Sequence, residues 1–222
     1  MFMNDDIKTS QIGLEFLANW EGCILHPYKD VAGLRTIGIG HLITSNENFP
    51  DGTSISKERA LEILSIDLEK CESAIKKNIT VQLTQHQFDA LVSFGFNCGV
   101  GVYSNSGVCK ALNSGDYDRV PAKLLDWSKA KINGVLTVVK GLYDRRKAEG
   151  DLFSEFVSWT PSILVDIQNK LKHLGLYSKT VDGSWGPGTN SGICTFAQNR
   201  GIQITDTRLG IPMSLFEEFN KL

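Results

Sequence analysis

The chain has 222 residues and no apolar run near the ~18–20 residues needed to cross a bilayer. Its opening residues, Met1-Phe-Met-Asn-Asp-Asp-Ile-Lys8, lack the basic end and apolar run of a signal peptide. Synthesis and retention in the cytoplasm are therefore expected, unless another device exports it. There is no surplus of one charge. Lys+Arg number 23 and Asp+Glu 25, a net charge of −2. That removes the broad basic face that nucleic-acid binding needs. The five cysteines (Cys23, Cys71, Cys98, Cys109, Cys194) are odd in number and include no CxxC pair. Neither a disulfide framework nor a zinc cluster is indicated, and reduced, mostly buried thiols are expected. Four histidines (His26, His41, His86, His173) show no HExxH or similar spacing, which disfavours a metal-dependent amidase. No cofactor is expected. Low-complexity segments and close internal repeats are also missing.

What is present is enough to fold. Hydrophobic residues make up 41% and charged residues 22%, a composition that builds a core. The length suits one large domain, or a medium domain with a small one. From Ser10 to Trp20, Ile12, Phe16 and Trp20 recur every four residues, with Ser10 or Thr9 to cap the helix and Gly22 to stop it. Arg35 to His41 reads as a strand, entered by a turn at Asp30–Gly33. Ser56 caps a helix expected to run through Ile75. Thr84-Gln-His-Gln87 is a capping box for a helix ending near Asn97, at Gly99. Further helices are expected over 107–113, 120–130 and 141–156. Trp159-Thr-Pro-Ser162 reads as a domain break. Helices near 163–174 and 189–200 follow it. The pattern predicts an α+β fold with residues 1–158 as one domain and 159–222 as a second, small and helical.

The chemistry concentrates in residues 21–41. Glu21 falls at the C-terminal end of the first helix, where the macrodipole favours the protonated acid, and packing near Trp20 adds desolvation. A carboxyl group kept protonated near neutral pH suits a general acid. Asp30 lies in the turn entering the strand. Thr36 shares its strand face with Gly38 and Gly40, so its hydroxyl is expected on an open strip where a ligand can lie close. Two carboxyl groups flanking a glycosidic bond are the usual equipment of glycoside hydrolysis, and Thr36 would hold the attacking water. Spacing alone does not choose between inversion and retention.

Glu21, eight residues, Asp30, five residues, then Thr36-Ile-Gly-Ile-Gly-His-Leu42 together resemble the phage-type lysozymes of glycoside hydrolase family 24. Leu83-Thr-Gln-His-Gln-Phe-Asp-Ala-Leu-Val-Ser-Phe-Gly-Phe-Asn97 is similar to that family's central helix. Gly141-Leu-Tyr-Asp-Arg-Arg-Lys-Ala-Glu149 is similar to its Gly-Leu-x-x-Arg-Arg-x-x-Glu stretch. The three motifs occur in the family's order over about residues 10–155. The resemblance implies a mostly helical, lysozyme-like domain with a small β-hairpin region. It implies an inverting muramidase that cuts the β-1,4 bond between N-acetylmuramic acid and N-acetylglucosamine in bacterial peptidoglycan. Glu21 is then the general acid, and Asp30 and Thr36 position and activate water. Leu42, Phe96, Asn97 and Ser106 match cleft-lining positions. Arg145 matches an arginine that reaches the catalytic glutamate. His41 is expected to pair with Asp67. Cys23, two residues beyond Glu21, is read as a structural thiol.

Ile167-Gln-Asn-Lys-Leu-Lys-His-Leu-Gly175 and Val181-Asp-Gly-Ser-Trp-Gly-Pro-Gly-Thr189 resemble the small helical peptidoglycan-binding domain attached to wall hydrolases. Phe196-Ala-Gln departs from that family's Phe-Gln by one inserted residue. The resemblance implies a monomeric endolysin without stable membrane insertion. It would need membrane breakage, for example by a holin it does not itself contact, to reach the wall. A bacterial lysozyme or toxin effector fits the same motifs. Rival readings are a lytic transglycosylase and a catalytically silent peptidoglycan-binding protein.

Overall fold

The first helix begins where Ser10 turns its hydroxyl back on the chain and accepts the Gly13 N–H at 3.2 Å. This closes the first turn of α1 (Gln11–Glu21), and Gly22 ends the helix at φ 77°. The computed structural model describes residues 4–208 and 210–222, except the side chain of Ser158.

After α1 the chain forms β1 (Ile24–Lys29), β2 (Arg35–Gly38) and β3 (His41–Leu42), an antiparallel sheet in chain order. Thr36 pairs with Tyr28 on one side and Leu42 on the other. A strand continuous to His41 is therefore a misreading. Gly38 and Gly40 have φ of 66° and 74°, so the glycines turn the chain back instead of lying flat beside Thr36.

The helix capped by Ser56 is real, but it is two helices. α2 (Lys57–Asp67) and α3 (Glu69–Asn78) meet at Leu68. Leu68 is fully buried, and the joint lets Leu61 and Leu64 of one helix and Cys71 and Ile75 of the other all face the core. α4 (Gln85–Cys98) starts at the predicted capping box, with both Thr84–Gln87 bonds formed. It is the central helix, burying Phe88, Leu91, Val92 and Phe94. α5 (Val102–Asn105) brings Tyr103 across α4. The Tyr103 hydroxyl donates to Leu91 O at 2.6 Å, and only a glycine at position 95 leaves room for the ring.

α6 (Gly107–Asn113), a short 3-10 turn and α7 (Val120–Leu125) follow. The helix expected to reach residue 130 stops at Leu125. Lys129–Ile132 (β4) and Val135–Val138 (β5) form a hairpin instead. Asn133 (φ 50°) and Gly134 (φ 83°) make its two-residue turn, the Asn-Gly chemistry that favours a hairpin there over a continued helix. α8 (Lys140–Phe153) packs against α4 and α7.

The chain divides into two units, Met1–Ser154 and Glu155–Leu222. In the second, β6 (Phe156–Ser158) pairs with β7 (Gly210–Pro212). Thr160 caps α9 (Pro161–His173), and α10 (Pro187–Gln198) and α11 (Met213–Asn220) complete it. Its core holds Leu164, Ile167, Leu171, Ile193, Phe196 and Phe219, the two phenylalanines stacked with centroids 3.9 Å apart. Buried Gln168 ties the loop before α10 to α9. Its Oε1 accepts the N–H groups of Asp182 and Gly183, each at 3.0 Å. The protein is thus α+β: a mostly helical unit with small sheets, followed by a small helical unit.

Candidate active site

Glu21 ends α1 with its side chain one-quarter exposed. The helix supplies no cation in its last turn; the partner comes from α8. Arg145 Nη1 donates to Glu21 Oε1 at 2.7 Å. Arg145 is itself buried and fixed from behind. Its Nε donates to Glu149 Oε1 at 3.3 Å, and its Nη2 to Ser93 O at 3.4 Å. Glu149 Oε1 also accepts Ser93 Oγ at 2.8 Å and Arg146 Nη2 at 2.7 Å. Arg146 Nε lies 2.6 Å from Glu149 Oε2 as an ion pair, but not in line for a hydrogen bond. Burial raises the Glu149 carboxyl above its ordinary range, while Arg146, Ser93 and Arg145 pull it back.

Asp30 occupies the turn between β1 and β2. Its Oδ1 accepts the N–H groups of Ala32 and Leu34 at 2.9 and 2.8 Å. Two backbone donors on one oxygen fix the carboxylate and leave Oδ2 without a hydrogen bond among the described residues. Tyr28 lies near both carboxylates. Burial first, then the charges of Asp30 and Glu21, push its hydroxyl above the ordinary range. Thr36 is only 2% exposed, and its hydroxyl donates to Leu34 O at 3.2 Å. The expected open glycine strip is absent because the chain folds back and sets Leu42 opposite Thr36. Leu42 is about half exposed.

Phe96 (half-buried) and Asn97 (exposed) lie on the last turn of α4. Ser106 caps α6, its Oγ accepting the Cys109 N–H at 3.0 Å. None of these three has a polar contact with Glu21, Asp30 or Thr36 among the described residues. The cysteines depart in part from the expected burial: Cys71 and Cys109 are buried, Cys98 and Cys194 half-buried, and Cys23 exposed; all five are free.

His41 does pair with Asp67, its Nδ1 lying 2.9 Å from Oδ2. The sequence reading missed the second partner, Glu47, whose Oε1 lies 2.8 Å from His41 Nε2. Glu47 Oε2 in turn accepts the N–H and hydroxyl of Thr44, both at 2.8 Å. Burial works against a charged His41, but its two carboxylate partners outweigh it and the ring titrates above its ordinary value. The backbone bond from Thr44, with His41 adding to it, holds Glu47 below the ordinary carboxylate range. Ser93, Arg146 and Glu149 were likewise not assigned roles from sequence. The available signal for the two charged residues was Arg145-Arg146-x-x-Glu149, an i,i+3 and i,i+4 charge pattern on one helix; Ser93, on another helix, meets them only through tertiary packing.

A helix-end carboxyl beside a small sheet, held on a helical body by a buried arginine, is the layout of a lysozyme-like glycosidase. Comparison with known proteins makes the family plain. The phage lysozyme family model matches residues 18–149, and the chain belongs to that family, as an endolysin-type lysozyme. It is 40% identical over 144 residues to an endolysin of Acyrthosiphon pisum secondary endosymbiont phage 1, covering 65% of this chain and 96% of that one. A crystal structure of a P22 lysozyme mutant superposes with a TM-score of 0.60 at 33% identity, over 67% of this chain and 99% of that one. The muramidase domain of SpmX from Asticaccaulis excentricus gives 0.59 at 32% identity, over 66% and 97%. Separately, a model described as a peptidoglycan binding domain matches residues 161–211.

Proposed function

We propose that the first unit hydrolyses the β-1,4 bond between N-acetylmuramic acid and N-acetylglucosamine in bacterial peptidoglycan. Glu21 protonates the leaving oxygen. Asp30, with one oxygen committed to the turn and the other uncommitted, orients the attacking water. Thr36 shares that water by rotating its hydroxyl away from Leu34 O. Leu42, Phe96, Asn97 and Ser106 border the bound glycan. The reaction inverts the anomeric centre. The observation that carries this reading is that Glu21, oriented by Arg145 at 2.7 Å, stands at a helix end beside a turn that fixes a second carboxylate. The second unit binds peptidoglycan and keeps the first near its polymeric substrate, raising effective concentration without new catalytic contacts. The enzyme acts on the wall after the cytoplasmic membrane is breached.

A turbidity assay on permeabilised cells tests the assignment. Glu21→Gln should lower lysis by about 10²–10⁴-fold, the usual contribution of a general acid; retained lysis refutes it. NMR of the first-formed product should show the α-anomer, whereas an initial β-anomer means retention. A 1,6-anhydro end, seen by mass spectrometry, would identify a transglycosylase.

A further inference from the structure

Arg145 stands between two carboxylates, and the two bonds are unequal. It is 2.7 Å from Glu21 and 3.3 Å from Glu149. The longer bond has a cause on the far side of Glu149. Its Oε1 is already engaged by Ser93 Oγ at 2.8 Å and Arg146 Nη2 at 2.7 Å. Glu149 and Arg146 are fully buried, and Arg145 nearly so. The guanidinium keeps its charge throughout. In a site with little water to screen it, that charge is divided among the anions within reach.

We infer that Glu149 is a positioning residue for the acid, acting through Arg145: Ser93 and Arg146 occupy Glu149, so Arg145 leans on Glu21, and the strength of that lean sets how high in pH the enzyme stays active. The inference rests on the reading of Glu21 as the general acid. The groups facing Glu149 are Ser93 and Cys98 on α4, Tyr103 on α5, and Arg145 and Arg146 on α8. Burial pushes the Cys98 thiol and the Tyr103 hydroxyl up, so both stay neutral over the working range. Glu21 faces Arg145 and Tyr28, and Asp30 also acts on Tyr28. The balance is therefore held by two arginines and two carboxylates.

Two variants of the full chain should move the activity profile in opposite directions. Glu149→Gln removes one claimant and turns Arg145 wholly toward Glu21. A stronger cation beside the acid favours its ionised form, so the alkaline limb should shift to lower pH by about one unit. Ser93→Ala takes a donor from Glu149, which then draws Arg145 back; the limb should shift to higher pH by a smaller amount. A purely structural role would lower activity at every pH and leave the limb in place. Glu149→Gln leaves two buried cations short of an anion. If it does not fold, Ser93→Ala carries the test alone, since it deletes a single oxygen. Lysis of permeabilised cells across pH supplies the readout. An unmoved limb, or both limbs moving the same way, overturns the inference while Glu21→Gln remains inactive. An active Glu21→Gln overturns the reading beneath it as well.

Discussion

Removing one side of the His41 clamp should alter stability in a pH-dependent way. The perturbation is Asp67→Asn, which keeps shape and deletes charge. His41 Nδ1 lies 2.9 Å from Asp67 and Nε2 2.8 Å from Glu47. Unit charges about 4 Å apart at an effective dielectric near 20 attract by roughly 4 kcal/mol. Desolvation of the ring opposes this. The carboxylates keep 28% and 31% of their side-chain surface exposed, so water screens them. A net effect of about 1–2 kcal/mol for the Asp67 pair is expected. The folded His41 titrates above its unfolded value of about 6.5. Its contribution is complete below that value and is lost as pH rises through the raised folded one. Glu47 titrates below its unfolded value of about 4.5. Its contribution is complete above that value and fades as pH falls through the lowered one. The clamp is thus strongest between about pH 4.5 and 6.5. Calorimetry of the full chain should show the first unit melting about 3–6 °C lower in Asp67→Asn near pH 5.5. The gap should largely close by pH 9. A gap that is constant across this range, or absent, refutes the reasoning.

The remaining predictions concern packing and targeting. Gly95→Ala puts a Cβ 1.8 Å from Tyr103 Oη, so the tyrosine must leave its Leu91 bond; a loss of about 3 kcal/mol or more is expected by denaturant titration. Gln168→Ala strands the buried N–H of Gly183 and the N–H of Asp182. It should cost the second unit about 2–4 kcal/mol, seen as a lowered second melting transition with the first unchanged. Truncation after Ser154 should reduce lysis of intact wall more than cleavage of short glycans; equal losses would refute targeting by the second unit.

Local chemistry was legible wherever a few adjacent residues decide the outcome. Ser10, Ser56 and Thr84 cap helices because a side-chain oxygen three residues upstream satisfies an N–H that has no other partner. The hairpin over 129–138 was equally local. Its signal, Asn133-Gly134, lies just past the helix expected over 120–130, and the sequence reading missed it. Leu68 was not legible, because a helix and a joint between two helices differ only in what the buried leucine meets.

The sequence by itself determined several helix starts, the spacing of Glu21, Asp30 and Thr36, and the family those motifs belong to. Tertiary structure alone decided which charges meet. Arg145 reaches Glu21 across 124 positions of chain, and Ser93 reaches Glu149 across 56. It also buried Thr36 and added Glu47 to His41. A side chain's electrostatic surroundings depend on distances in space and on how much water is shut out. Neither is fixed until α4 and α8 pack together and the sheet folds back beside α1.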